Sequence, residues 1–395
     1  MFAAFSTPIA RRRWRVFRDN RRAYISLWGV LALMLVSLSA PLIANDKPLY
    51  IHWQGQSYFP LIKDYSGQDF GFLLPGLDYS SPRFQAKLKE DEAVMIWPLI
   101  PYRFDTIDKS LLRVPSPPDW QLRGEARQQV ANLAERDPAT LDEGQQRRLA
   151  DANTILATEV NWYRQHWLGT DDAGRDIIAR FLWGLAVSFV FGACFVTFTS
   201  LIGITAGALQ GYYGGWVDLV FQRILEVYSG LPYLYIVIAL VIIYGSSFEL
   251  MLGILVFFGW TGFVGITRVE FLRARNLEFV RAARALGVSD GKIMRRHILP
   301  NAFIGPISSL PFVFAGSVTV LTSLDYLGFG LPKTWPSLGE MGAQASRFYY
   351  NWWQVVGIVA PLSLLTLLIV FVGDGVRQAL DPRAIFSIKT RVNDA

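Results

Sequence analysis

Six apolar stretches divide this chain, and each is long enough, or nearly so, to cross a bilayer. A spanning helix needs about 20 mostly apolar residues, because the hydrocarbon core is roughly 30 Å thick. We predict spans near Tyr24–Ala44, Trp183–Leu209, Leu219–Tyr244, Leu250–Arg268, Ala302–Leu324 and Gln354–Val376. With 52% of its residues hydrophobic and 18% charged, the sequence predicts an all-α polytopic membrane protein with sizeable soluble loops.

Basic residues beside the apolar stretches predict the sidedness of the chain. Residues 1–23 carry seven Arg and one Asp, which predicts a cytoplasmic N-terminus. Residues 268–296 carry eight Lys or Arg, and six crossings place them and the tail, 377–395, on the same side. The loop 45–165 has 14 basic and 17 acidic residues and is predicted to be periplasmic. The net charge of +6 therefore indicates contact with anionic lipid and no nucleic-acid partner.

A polar, basic segment from Leu277 to Asn301 interrupts the apolar pattern between the fourth and fifth predicted spans. It contains two short helical patterns, separated by Gly287 and Ser289, which are typical helix-stop and helix-start residues. Pro300 marks the predicted end of the second helix. A helix–turn–helix that leaves the bilayer in this way predicts contact with a partner in water.

The loop 45–165 has two parts of different composition. Its beginning is rich in aromatic and turn residues, which predicts irregular structure or short strands. Residues 123–159 are rich in Ala, Gln, Glu and Arg, which predicts an insertion of one or two exposed helices. These helices are either solvated or packed against a partner.

No pattern in the chain indicates catalysis or a bound cofactor. Side chains that bind metals occur close together at His166, Asp171, Asp172 and Asp176. Helix capping and an Arg–Asp network explain the same residues, so we predict no metal. Residues 287–292 resemble a phosphate-binding loop but are one residue too short, and Ile293 replaces the required Ser or Thr. We predict no catalytic residue and no cofactor in this chain.

The 277–301 segment resembles the signature of permease subunits of ABC importers. That signature reads A-A-x-x-x-G, followed by a short helix and L-P. The matching residues here are Ala282, Ala283, Gly287, Leu299 and Pro300. The family often has Glu before the paired alanines, where this chain has Arg281. The resemblance implies the fold of a type I ABC importer transmembrane domain, with a core at 166–376 that contains five spans and a coupling loop at 269–300.

Four further motifs are similar to the dipeptide and oligopeptide branch of this family. They are HWLGTDDAGRD at 166–176, GYYGGWVD at 211–218, RHILPN at 296–301 and DYLGFGLPKTWPSLGE at 325–340. In the long loop, IANDKPL and SYFPLIKDYS resemble the second permease of Yej-type transporters, which take up oligopeptides and the peptide antibiotic microcin C. Two features depart from the family pattern. Leu321 occupies a position where many relatives have Glu, and the helical insertion at 123–159 is not part of the pattern.

The resemblance implies an importer of the inner membrane with several partners. These are a homologous second permease, a cytoplasmic ATPase that holds ATP and Mg, and a periplasmic peptide-binding protein. The residues implied in coupling to the ATPase are Arg281, Ala282, Ala283, Leu286, Gly287, His297, Leu299 and Pro300.

Three ionisable residues near the inner end of the third predicted span are candidates for the translocation path or a gate. They are Asp218, Arg223 and Glu226. Charged side chains in a span are costly unless they face water or a partner. Arg223 and Glu226 are three residues apart, however, so an ordinary pair on one helix face explains them equally well.

Other readings of the sequence stay open at this point. The same kind of importer would carry another cargo, such as nickel or a sugar. An ion-driven secondary transporter would need no ATPase and often has internal repeats with midplane charges, and we find neither clearly. A membrane-bound sensor would need an output domain, which we do not find.

Overall fold

The computed structural model describes residues 8–72, 77–134, 141–158 and 164–381. Among these residues, five helices are long and apolar enough to cross a membrane: Arg21–Leu38, Ile177–Tyr213, Phe248–Ala274, Ile304–Tyr326 and Trp352–Leu380. A sixth candidate is the helix pair Gly215–Ser229 and Tyr233–Tyr244. The predicted polytopic α-helical fold with about six spans is therefore confirmed, and the observed bounds differ from the predicted ones by a few residues.

The helices are numbered in chain order. The first six are α1 (Pro8–Asp19), α2 (Arg21–Leu38), α3 (Ala40–Ile43), α4 (Pro82–Glu90), α5 (Asp119–Ala134) and α6 (Glu143–Ala157). The next six are α7 (Ile177–Tyr213), α8 (Gly215–Ser229), α9 (Tyr233–Tyr244), α10 (Phe248–Gly259), α11 (Thr261–Ala274) and α12 (Glu278–Ala285). The last five are α13 (Asp290–Lys292), α14 (Leu299–Ala302), α15 (Ile304–Tyr326), α16 (Leu338–Arg347) and α17 (Trp352–Leu380).

The third predicted span, whose apolar pattern is interrupted by Pro232, is bent at that residue. Helices α8 and α9 meet at an angle of 67°. Pro232 lies at the break and has no N–H with which to continue the helical hydrogen bonds. Helix α8 presents no buried side chain, and its Trp216 is 81% exposed.

The described residues form two compact units. The first unit consists of 8–33, 188–332 and 363–381. In it, α7 packs against α11 through glycines at every fourth position, Gly203, Gly207 and Gly211. A Cβ atom at any of the three would overlap a backbone carbonyl oxygen of residues 260–268. Only glycine permits this approach of the two backbones, which brings the helices into close contact.

The second unit consists of 34–187 and 333–362. It includes an antiparallel sheet of strand order β2–β1–β3, formed by β1 (Tyr50–Trp53), β2 (Gln56–Tyr58) and β3 (Val94–Ile96). Ile51 and Trp53 are buried with aromatic residues of the loop, whereas His52 is exposed. Helices α5 and α6 lie in the stretch where the insertion is predicted, and they pack on each other.

Candidate functional site

The polar segment between α11 and α15 folds as a compact helical turn, which we name the 277–302 segment. It contains α12, α13, a π-helical turn at Ile293–Ile298, and α14. Its inner side chains, Val280, Ala283, Ile293, Ile298 and Ala302, form one buried cluster with Tyr212 of α7 and Phe271 of α11. The segment is therefore mounted rigidly on two spans of the first unit.

Glycine makes the turn in the middle of this segment possible. Gly287 has a φ of +76°, a left-handed conformation that other residues adopt at a cost. The Gly287 N–H donates to the Arg284 carbonyl at 3.0 Å, and the Val288 N–H donates to the Ala283 carbonyl at 3.1 Å. These two bonds are the Schellman pattern that ends a helix. The predicted helix stop is thus the observed one.

The outer side of α12 carries an exposed apolar stripe. Phe279 is 43% exposed and Leu286 is 84% exposed, and Ala282 lies exposed between them. The spacing of three and four residues places these side chains along one side of the helix. Ala283 belongs instead to the buried cluster, so its side chain packs within the segment and lies off the stripe.

The second half of the segment differs from the predicted helix that ends at Pro300. That prediction is wrong, because Pro300 lies in the first turn of α14. Proline fits there, since its missing N–H needs no partner at a helix start. Before it, the Leu299 N–H donates to the Met294 carbonyl in the wider π-type turn. His297 is half-buried and Pro300 is exposed.

The three candidate path residues fall into two separate pairs. Arg268 of α11 donates to both carboxylate oxygens of Asp218, at 2.5 and 2.7 Å. Arg223 pairs with Glu226 along α8 at 2.5 Å, and their side chains are 79% and 59% exposed. Asp218 therefore joins α8 to α11, whereas the Arg223–Glu226 pair faces outward from the first unit.

The second unit contains a buried histidine between two carboxylates. His166 is 1% exposed, and its Nδ1 and Nε2 lie 2.8 Å from Asp176 and 3.3 Å from Asp108. Asp176 also caps α7, because its Oδ1 accepts from the Ala179 N–H at 2.8 Å. Burial disfavours the charged imidazole, but the hydrogen bonds to Asp108 and Asp176 outweigh it and raise the pKa of His166 to about 9.

Arginine side chains engage the nearby Asp171. Arg175 Nε lies 2.8 Å from it, and Arg180, which is 1% exposed, contacts the same carboxylate. Arg180 also donates to Glu340 at 2.6 Å and to Gln344 at 3.2 Å, so it joins the start of α7 to α16. Among the described residues, no group of three or more His, Cys, Asp or Glu is arranged to hold a metal. Helix capping and ion pairing account for these side chains.

The buried histidine predicts a stability that depends on pH. The pKa of His166 in the folded protein lies above its ordinary value of 6.5. Its stabilisation is therefore fully present below pH 6.5 and is lost as the pH rises through about 9. We expect the loss to reach roughly 3 kcal/mol. Melting temperatures between pH 6 and 10 should fall for the unaltered protein and change much less for His166→Gln.

An exposed histidine supplies the control for this pH series. His52 lies on the open face of β1, and His52→Gln should keep the pH dependence of the unaltered protein. A His166→Gln protein whose melting temperature still falls steeply toward pH 9 would contradict the assignment of this dependence to His166.

Two family models match the chain. Residues 201–386 match the binding-protein-dependent transport system inner membrane component. Residues 8–69 match the N-terminal TM domain of oligopeptide transport permease C. The first match confirms the predicted class of fold, the transmembrane domain of a type I ABC importer.

Relatives match nearly the whole chain. It is 42% identical to the peptidoglycan transport system permease protein YejE of Agrobacterium fabrum, over 96% of this chain and 94% of that protein. It is 40% identical to the inner membrane ABC transporter permease protein YejE of Escherichia coli, over 95% of this chain and 98% of that protein. The dipeptide transport system permease protein DppC of Bacillus subtilis is 32% identical, over 55% of this chain and 69% of its own length.

The spanning helices, with a polar helical segment mounted between two of them, define a multi-pass transport subunit of the inner membrane. It is a component of a transporter rather than an enzyme. The chain belongs to the YejE family of ABC transporter permeases.

Proposed function

We propose that this chain is the permease subunit through which oligopeptides, microcin C-like peptides included, are imported across the inner membrane. The energy comes from ATP hydrolysis in a partner subunit. The observation that carries the proposal is the exposed apolar stripe of the 277–302 segment, which lies on a rigid core between two spans. The dipeptide transport named for the Bacillus relative supports a peptide cargo.

The proposed assembly follows from what this chain supplies and what transport requires. A homologous second permease completes the path, a cytoplasmic ATPase binds ATP and Mg, and a periplasmic binding protein delivers the peptide. The basic residues of α1 and of the 277–302 segment support a cytoplasmic location for both termini and for the segment. The second unit then holds the periplasmic loop.

The stripe has the properties that an ATPase docking surface requires. Leu286, at 84% exposure, leaves a large apolar side chain in water, and burial of such a side chain stabilises a complex by about 1.5–3 kcal/mol. Ala282 is small enough to permit close approach of the ATPase. The buried cluster beneath the stripe keeps α12 attached to α7 and α11 when the ATPase moves. We propose Arg281, Ala282, Leu286 and Gly287 as contact residues, with Ala283, His297, Leu299 and Pro300 shaping the segment.

The exposed pair on α8 supports a role at the path or at the second permease. Arg223 and Glu226 expose most of their side chains, and charges in a span require water or a protein partner. We propose that this face of α8 lines the path. The Asp218–Arg268 pair holds α8 at its start and thereby keeps that face in position.

A charge placed in the stripe tests the proposal. We expect Ala282→Glu to lower ATPase association and uptake of a labelled tripeptide at least tenfold, because the carboxylate would be buried without a partner in the docked complex. The matched control is Ala150→Glu on α6 of the second unit. Ala150 is also exposed but lies outside the 277–302 segment, so uptake should stay near normal. Undiminished uptake by the Ala282→Glu permease would refute the docking assignment.

A second candidate cargo arises from the Agrobacterium relative, whose name refers to peptidoglycan transport. Competition distinguishes the two cargoes in the reconstituted complex. Strong inhibition of tripeptide uptake by peptidoglycan fragments, together with their own uptake, would favour that cargo. The peptide antibiotic would be favoured if cells that do not take up microcin C became sensitive to it on producing this permease with its partners.

A further inference from the structure

Tyr212 lies where the end of α7 meets the 277–302 segment. Its side chain is 3% exposed and belongs to the segment's buried cluster. A tyrosine hydroxyl in such a place requires polar partners. It donates to Asp290 Oδ1 at 2.5 Å and accepts from Arg284 Nη2 at 3.2 Å. The sequence pattern does not single out this residue, because GYYGGWVD reads only as a glycine-rich turn.

The two partners of this hydroxyl lie on opposite sides of the turn at Gly287. Arg284 is in the last turn of α12, and Asp290 begins α13. The Arg284 guanidinium also lies 5.5 Å from the centroid of the Tyr212 ring, a cation–π contact. One side chain of α7 thus joins both helices of the segment.

The backbone around Tyr212 is held as firmly as its side chain. Arg275, at the end of α11, donates to the carbonyl oxygens of Tyr213 at 3.2 Å and of Tyr212 at 3.5 Å. The last carbonyls of a helix have no partner within it, and a cation there also suits the helix dipole. Just before Tyr212, Gly211 brings α7 against the backbone of α11. The end of α7 is therefore fixed to α11 and to the segment at once.

We propose that Tyr212 is the positioning residue that transmits movement of the 277–302 segment to α7. This inference rests on the proposed function of the segment. The segment can move α7 only if the contacts between the two stay intact. The bonds from the Tyr212 hydroxyl to Arg284 and Asp290 prevent α12 and α13 from shifting independently of α7. Without them, a docked ATPase would move the segment while α7 lagged behind.

The test is Tyr212→Phe in the complete transporter, reconstituted with its ATPase and binding protein. Phenylalanine keeps the ring, its burial and the cation–π contact with Arg284, and removes only the hydroxyl with its hydrogen bonds to Arg284 and Asp290. We expect ATPase association to be unchanged, while the amount of tripeptide imported per ATP hydrolysed falls about tenfold. A merely structural role would lower the melting temperature and leave that ratio unchanged. The control is Tyr213→Phe, whose side chain is 49% exposed and should leave the ratio unaltered.

A second variant changes Asp290, which accepts the hydrogen bond from the Tyr212 hydroxyl. Asp290 is exposed, so Asp290→Ala tests the contact without disturbing the core, and it should lower the same ratio about threefold. Asp290→Asn, which keeps an acceptor oxygen, should restore most of it. An unchanged ratio in Tyr212→Phe, or weaker ATPase association in that variant, would overturn the inference. Failure of the Ala282→Glu test would instead refute the proposed function itself.

Discussion

Replacing Gly207 with valine is expected to leave little folded permease in the membrane. A Cβ atom at this position would lie 2.6 Å from the Val264 carbonyl oxygen and 2.8 Å from the Thr267 Cβ. Both atoms belong to the body of α11, so neither can rotate away as a flexible side chain would. The helices must separate, and we expect a cost above the ~3 kcal/mol of ordinary overpacking. The yield of monodisperse protein after detergent extraction measures the effect.

The control for this substitution lies on the partner helix. Gly265, within α11, has no atom within 4 Å of an added Cβ, and Gly265→Val makes the same change in helix propensity. Its yield should stay close to that of the unaltered protein. Equal yields for Gly207→Val and Gly265→Val would show that the contact between α7 and α11 is looser than the structure indicates.

Arg180→Met is expected to destabilise the second unit by about 3–5 kcal/mol, as for other broken buried ion pairs. Arg180 donates to Asp171, Glu340 and Gln344 from an almost fully buried position. After the substitution, the two carboxylates share only the guanidinium of Arg175. The packing of α16 against the start of α7 should loosen, and the melting temperature should fall by several degrees.

A double-mutant cycle separates lost charge pairing from lost packing. Adding Glu340→Met to Arg180→Met removes one of the two carboxylates that are left to share Arg175, so the double variant should lose less stability than the sum of the two single changes. Arg347, at the exposed end of α16, supplies the control, and Arg347→Met should change the melting temperature little. Strict additivity in the cycle would mean that Arg180 and Glu340 do not stabilise each other.

Apolar length predicts most of the spans, because the bilayer demands a helix of defined length wherever an apolar stretch occurs. The bend between α8 and α9 is less predictable. Pro232 indicates an interruption, but a proline either kinks a span or breaks it. The 67° angle depends on the neighbours of α8, such as Arg268, which holds its first turn through Asp218.

The candidate coupling surface on the 277–302 segment is also predictable from the sequence only in part. Helical spacing and the glycine stop predict two short helices around Gly287, and the structure contains that turn. Which alanine faces outward is decided by packing. Ala282 and Ala283 are adjacent in the sequence, yet only Ala283 enters the buried cluster. Tyr212 escapes prediction because its partners, Arg284 and Asp290, lie more than 70 residues away along the chain.

Sequence patterns alone predict a membrane protein, the approximate number of its spans and the position of the polar segment between the fourth and fifth of them. These properties follow from composition and periodicity, which act over a few helical turns. Tertiary packing settles which side chains of that segment face outward, that Arg180 pairs with Glu340 of a distant helix, and that the Tyr212 hydroxyl joins α7 to both sides of the turn at Gly287. Such contacts depend on how distant helices pack, and that information lies in the whole chain rather than in any local pattern.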